Sequence, residues 1–263
     1  MRKLAILLVL AFAASAHAGS SFSTDVSDLW WNPDESGWGV NVIQQGNTVF
    51  ATFFVYDANG RAHWYVASAL VAPSASASGA TFQGDLFESH GPYFAVPFNP
   101  SAVTLTRVGT ATLQVAFPAD GFLTYTIGDV TVTKAVRRQT WAANNPSGSY
   151  EGQRVITASS GNCATGSTPF SAMQVTQSQN AFSLNGTLGT ASCRFNGDYS
   201  QQGRFGASSG TFTCNDGNAG AYALTEIEAS LHGFFARYSG TERGCSLQGR
   251  IGGVNTVIRQ VAE

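Results

Sequence analysis

"WGVNVIQQGNTVFATFFVYDANGRAHWYV", residues Trp38 to Val66, holds three runs rich in β-branched and aromatic residues, separated by two turn signals. Gln45-Gly46-Asn47 and Asp57-Ala58-Asn59-Gly60 supply the residues that tolerate positive φ, which tight hairpins require. The runs themselves, Gly37–Gln45, Thr48–Asp57 and Arg61–Val71, lack helical periodicity and read as strands. Sequential short strands joined by hairpins make an antiparallel meander. Along Gly37–Gln45, alternation places Trp38, Val40, Val42 and Gln44 on one face and Gly39, Asn41, Ile43 and Gln45 on the other. Trp38 therefore heads the apolar face and is expected in the core.

The same punctuation continues along the chain. Further strands are predicted at Thr81–Glu88, Val103–Val108, Thr110–Phe117, Gly121–Ile127 and Val130–Arg137. After the joint Ala142–Ser149, where small polar residues surround Pro146, strands follow at Tyr150–Thr157, Ser171–Thr176, Ala181–Leu188, Cys193–Ser200, Gly210–Cys214, Tyr222–Ala229, Leu231–Tyr238 and Ser246–Gly252. Every tryptophan lies before that joint and every cysteine after it. The expected fold is all-β: a Trp-rich domain over 19–141, a linker over 142–149 and a second domain over 150–263. Each domain is an antiparallel meander barrel or sandwich, and the second is lipocalin-like in outline, an analogy of fold alone.

The first eighteen residues read as a secretion signal. Arg2 and Lys3 form the charged start, Leu4–Ala14 the apolar run, and Ala16-His17-Ala18 a small-residue site for cleavage after Ala18. That run falls short of the roughly 20 apolar residues a membrane helix needs, and no later segment approaches the length. An outer-membrane barrel is disfavoured too, because most strands are shorter than the about 9–11 residues such barrels use and several carry apolar residues on both faces. The predicted location is the periplasm or the exterior, with no membrane span.

Without Arg2 and Lys3 the chain carries 12 Lys and Arg against 16 Asp and Glu. This acidic balance lacks the basic footprint that phosphate neutralisation requires, so no nucleic-acid partner is expected.

Cys163, Cys193, Cys214 and Cys245 fall at the first, third, fifth and seventh connections of the second domain, which puts all four at one end of an up-and-down arrangement. Closure brings the first and eighth strands together. This favours Cys163–Cys245 with Cys193–Cys214, and leaves Cys163–Cys193 with Cys214–Cys245 as the rival. A zinc site of four thiolates is disfavoured because no C-x2-C pair occurs.

Residues that carry chemistry are few. Trp30 and Trp31 precede the first strand beside Asn32-Pro33, in an extended or turning segment where at least one of two adjacent indoles can point outward. Together with Trp64, Glu35 and Asn41 they form the expected ligand-binding set, in which rings supply stacking area and polar groups set orientation. Asp34 and Glu35 point apart on an extended segment, and a glycosidase pair needs two carboxyls across a cleft. His63 reads as structural. Gly206-Ala207-Ser208-Ser209-Gly210 matches G-x-S-x-G but lies in a Gly/Ser hairpin rather than on a strand-to-helix elbow. Asp216, Glu226 and Glu228 lack the spacing of a calcium loop. No catalytic residue, metal or cofactor is assigned.

Trp30, Trp31, Asn32, Pro33, Glu35, Ser36, Gly37, Trp38, Gly39 and Asn41 carry a W-W-N-P-x-E-S-G-W-G-x-N pattern that resembles a signature of secreted proteobacterial proteins. The resemblance covers the first domain to about Arg138. It implies a secreted β-rich module and transfers no catalytic residue. Three functional expectations follow. The first is a non-catalytic protein that binds carbohydrate or another small amphipathic ligand. The second is a polysaccharide or cell-wall hydrolase using Glu35. The third is an interaction or inhibitor module that presents the disulfide-clamped end to a protein partner.

Overall fold

The computed structural model describes residues 25–76, 79–117, 119–161 and 163–259, so the predicted secretion signal and its cleavage site lie outside the described residues. Among the described residues, sixteen strands close into two antiparallel barrels of eight. The first contains β1 (Asp28–Trp31), β2 (Gly39–Gln45), β3 (Thr48–Tyr56), β4 (Ala62–Ser76), β5 (Gly79–His90), β6 (Thr104–Ala116), β7 (Asp120–Ile127) and β8 (Val130–Arg138). The second contains β9 (Gly148–Ser159), β10 (Gly166–Ser178), β11 (Ala181–Leu188), β12 (Ala191–Gln202), β13 (Phe205–Cys214), β14 (Ala219–Ala229), β15 (Gly233–Glu242) and β16 (Cys245–Asn255). Each strand pairs with its neighbours in sequence, and the first of each barrel pairs with the last.

Closure of the first barrel falls on a segment that the strand pattern leaves out. β1 joins β2 through Asp28↔Val42, Leu29↔Asn41 and Trp30↔Val40, and joins β8 through Trp30↔Arg138 and Trp31↔Arg137. Four residues suffice because the pairing completes both edges of the sheet, leaving neither open.

A second departure is β6, one continuous strand where the pattern suggests two. Gly109 is not a turn. A Cβ there would lie 1.6 Å from the Thr126 carbonyl oxygen, so glycine admits the close approach of β7.

Both interiors are apolar. Val40, Val42, Val49, Ala51, Phe53, Leu70, Phe82, Leu86 and Leu113 fill the first, and Phe170, Met173, Phe195, Phe212, Leu224 and Phe234 the second. Trp38 packs against the first core from a half-buried position. An apolar lumen is the reverse of the lipid-facing apolar band and polar lumen of outer-membrane barrels.

The disulfides are Cys163–Cys245 and Cys193–Cys214. The favoured pairing is thus the one formed. Cys193 and Cys214 are direct partners on β12 and β13, whereas Cys163 reaches from the β9–β10 connection to the start of β16.

The barrels touch around Arg204 and Gly203. Arg204 pairs with Asp25, its N–H donates to Asp28 Oδ2 at 3.2 Å, and the Gly203 N–H donates to Thr140 Oγ1 at 2.9 Å. Within the connector, Asn144 is tied to the second barrel through Gln201, Arg204, Ile227 and Ala229.

Candidate functional site

The signature segment separates its three tryptophans by role. Strand alternation turns Trp30 into the barrel, where it is 0% exposed and its indole N–H donates to the Val26 carbonyl at 2.9 Å. It offers no ring face to a ligand, which corrects its place in the predicted binding set. Trp31 takes the opposite face. It neighbours Gly39, on which a Cβ would stand 4.0 Å from Trp31 Cβ, so the glycine keeps the surface beside the indole low.

Gly39 is directly opposed by Phe54, and Phe54 by Trp64. Trp31, Phe54 and Trp64 therefore form one cross-strand row on the outer face, with Phe54 and Trp64 both exposed. The next row carries Asn41 opposite Thr52 and Leu29. Of the predicted set, the fold brings Trp31, Asn41 and Trp64 to one surface.

Glu35 is engaged elsewhere. Its carboxylate accepts from Lys134 Nζ at 2.8–2.9 Å and from Trp38 Nε1 at 3.0 Å. These contacts fasten the turn 32–38 to β8 beyond the point where β1 ends. The Lys134 hydrogen bond, opposed by partial desolvation and helped by the Trp38 bond, lowers the Glu35 pKa below its ordinary value. A general acid needs the opposite shift.

On the other side of Trp31 lies a groove of about 790 Å³. Asn32, Pro33 and Asp34 of the signature turn form one wall, and the outer faces of β5 to β8 form the rest. Its apolar surface includes Phe122, Ala116 and Ala135, while Gln114, Asp120 and Arg137 supply polar groups. Phe122 is 54% exposed, out of phase with the inward Gly121 and Leu123 on either side. Arg137 and Asp120 pair at 3.3 Å, an exposed contact that a ligand's hydroxyls can share. The sequence reading missed this groove. Phe122 carried the one available signal, an aromatic on the solvent phase of "DGFLTYTI" (Asp120–Ile127).

Other candidates resolve into structural roles. His63 faces inward, its Nε2 3.1 Å from Glu88 Oε1, and His90 approaches the same oxygen at 3.4 Å. Ser208 lies within β13 rather than in a hairpin tip, buried and hydrogen-bonded to the Tyr222 hydroxyl at 3.1 Å. Asp216 pairs with Arg243 and Glu226 with Arg237, and among the described residues no three His, Cys, Asp or Glu side chains converge as metal ligands.

Comparison with protein families, with curated proteins and with solved structures gives no match in any of the three.

Proposed function

We propose that this is a secreted, non-catalytic binding protein whose first barrel takes carbohydrate, or another small amphipathic ligand, in the groove beside the signature turn. The observation that carries the reading is the exposed Phe122 ring facing a groove walled by Asn32, Pro33 and Asp34. Sugars present apolar C–H faces edged by hydroxyls. A ring gives the first a stacking surface, while Asp34, Gln114, Asp120 and Arg137 give the second both donors and acceptors. The groove volume falls within the roughly 300–1,000 Å³ typical of small-molecule sites. The row of Trp31, Phe54 and Trp64 extends the aromatic surface beyond the groove. Resemblance of the signature to secreted proteobacterial modules supports the location.

The test is a binding screen against soluble glycans and peptidoglycan fragments with Phe122→Ala, Arg137→Ala and Trp64→Ala variants, with melting temperature recorded for each. Loss of affinity by about tenfold or more in Phe122→Ala, at unchanged melting temperature, supports the groove. Loss in Trp64→Ala alone moves the site to the aromatic row. Absence of binding across the panel sinks the reading.

A further inference from the structure

We infer that the β5–β6 loop of the first barrel is a lipid-interface anchor, a property independent of the glycan reading. The loop, "GPYFAVPFNPSAV" (Gly91–Val103), contains no charged residue. It leaves the sheet at His90 and returns at Thr104, residues paired with each other, so it stands off the end of the barrel from a closed base. Nothing in it joins the core: Tyr93, Phe94 and Phe98 are 64%, 89% and 67% exposed, and Val96 and Val103 are exposed too. Leu105 continues the apolar surface at the base.

Water is a poor solvent for such a loop, and the alternatives can be separated physically. The three rings present roughly 450 Å² in all, taking about 200 Å² for a full aromatic side chain, and the loop sets no charged side chain around them, whereas a protein interface carries a polar rim. The shape is a projection, which suits a fluid medium that conforms to it. Backbone chemistry points the same way. Lipid penalises unpaired N–H groups. Here Pro92, Pro97 and Pro100 have none, Val96 donates to Tyr93 O, Ser101 to Asn99 Oδ1, Ala102 to Asn99 O and Val103 to Pro100 O. More than half of the loop's positions thus bring no free donor. Tyr93, with an apolar ring and a polar tip, is suited to the headgroup boundary. With no basic side chain in the loop, attraction to anionic headgroups plays no part, and insertion rests on apolar area alone.

The experiment is co-sedimentation of the purified protein with phosphatidylcholine vesicles, at low salt and at about 1 M NaCl, a range that screens surface charge almost completely. Wild type is expected to pellet with vesicles equally at both salts, and the double variant Phe94→Asp/Phe98→Asp to lose about tenfold or more in partition coefficient at unchanged melting temperature. A Phe94→Trp variant is expected to show added quenching by lipids brominated in their acyl chains. Equal pelleting of wild type and double variant, no pelleting of wild type, or loss of wild-type binding in salt overturns the proposal. So does a wild-type dimer that the double variant converts to monomer without lipid, which would make the loop a contact between copies.

Discussion

Arg138, the last residue of β8, places its guanidinium 5.3 Å from the ring centroid of Phe205, the first residue of β13. The same guanidinium stands 5.0 Å from Trp30, donates to Asp28 Oδ2 at 3.3 Å and reaches the Ser27 and Asp25 carbonyls. One buried cation therefore ties together the closing strand of the first barrel, its core tryptophan and the edge of the second barrel. Burial lowers the Arg138 pKa, and the Asp28 and Asp25 carboxylates oppose that shift. Arg138→Ala leaves Asp28 beside an empty pocket and is expected to cost about 3–5 kcal/mol in urea unfolding. A loss under about 1 kcal/mol would mean that the contact region holds nothing together.

Adjacent tryptophans should respond differently. Trp30→Ala removes a fully buried indole and its bond to Val26, an expected loss of about 3–5 kcal/mol. Trp31→Ala trims a partly exposed ring on the outer face and should cost less than about 1.5 kcal/mol. Equal losses in equilibrium denaturation would contradict the opposite orientations of the two rings.

Acid stability reports on the bridge that fastens the signature turn. The folded Glu35 carboxyl ionises below its ordinary value, mainly because Lys134 donates to it. Its contribution is then fully present above the unfolded glutamate value of about 4.3 and is lost as pH falls through the lower folded value. Glu35→Gln is expected to be less stable than wild type at neutral pH, and the gap should close in acid. A gap that widens below pH 4 would reverse the sign of the argument.

The two disulfides are expected to contribute unequally. Cys163–Cys245 closes a sequence separation of 82 and Cys193–Cys214 one of 21. Chain-entropy reasoning gives about 4.5 kcal/mol for the first and about 3.3 kcal/mol for the second. Paired Cys→Ala variants compared by guanidinium unfolding check the order. The reverse order would point to native-state effects rather than loop closure.

Gly109→Ala should disrupt the pairing of β6 with β7. The added methyl meets the Thr126 carbonyl, so one strand must move, at an expected cost of about 1–3 kcal/mol or more. Hydrogen exchange of the Thr110 and Thr126 amides is the local readout, and unaltered protection would show that the strands can part cheaply.

Much of this architecture was legible in the chain. Turn residues such as Gly46-Asn47 and Asn59-Gly60 bound β2, β3 and β4, and the sequence pattern gives β11 both its ends, Ala181 and Leu188. Strand count places all four cysteines at one end, because in a closed meander alternate connections share an end, and closure favours Cys163–Cys245 with Cys193–Cys214 over the rival pairing without excluding it. The groove was less legible. Its residues come from β5, β6, β7, β8 and the signature turn, which are neighbours only after closure.

The sequence by itself determined the strand content, the punctuation between strands and the end of the second barrel that its cysteines would clamp, because turn chemistry and two-residue periodicity are local. Only the tertiary structure decided which face turned inward where both phases of a strand are apolar. β3 carries apolar residues on both phases, Val49, Ala51 and Phe53 against Phe50, Phe54 and Tyr56, so alternation alone could not choose between them. The same ambiguity hid the fate of Trp30 and Trp31. It was settled when β1 paired with β8 and fixed one register, because a closed barrel has a limited interior and admits only one phase of each strand.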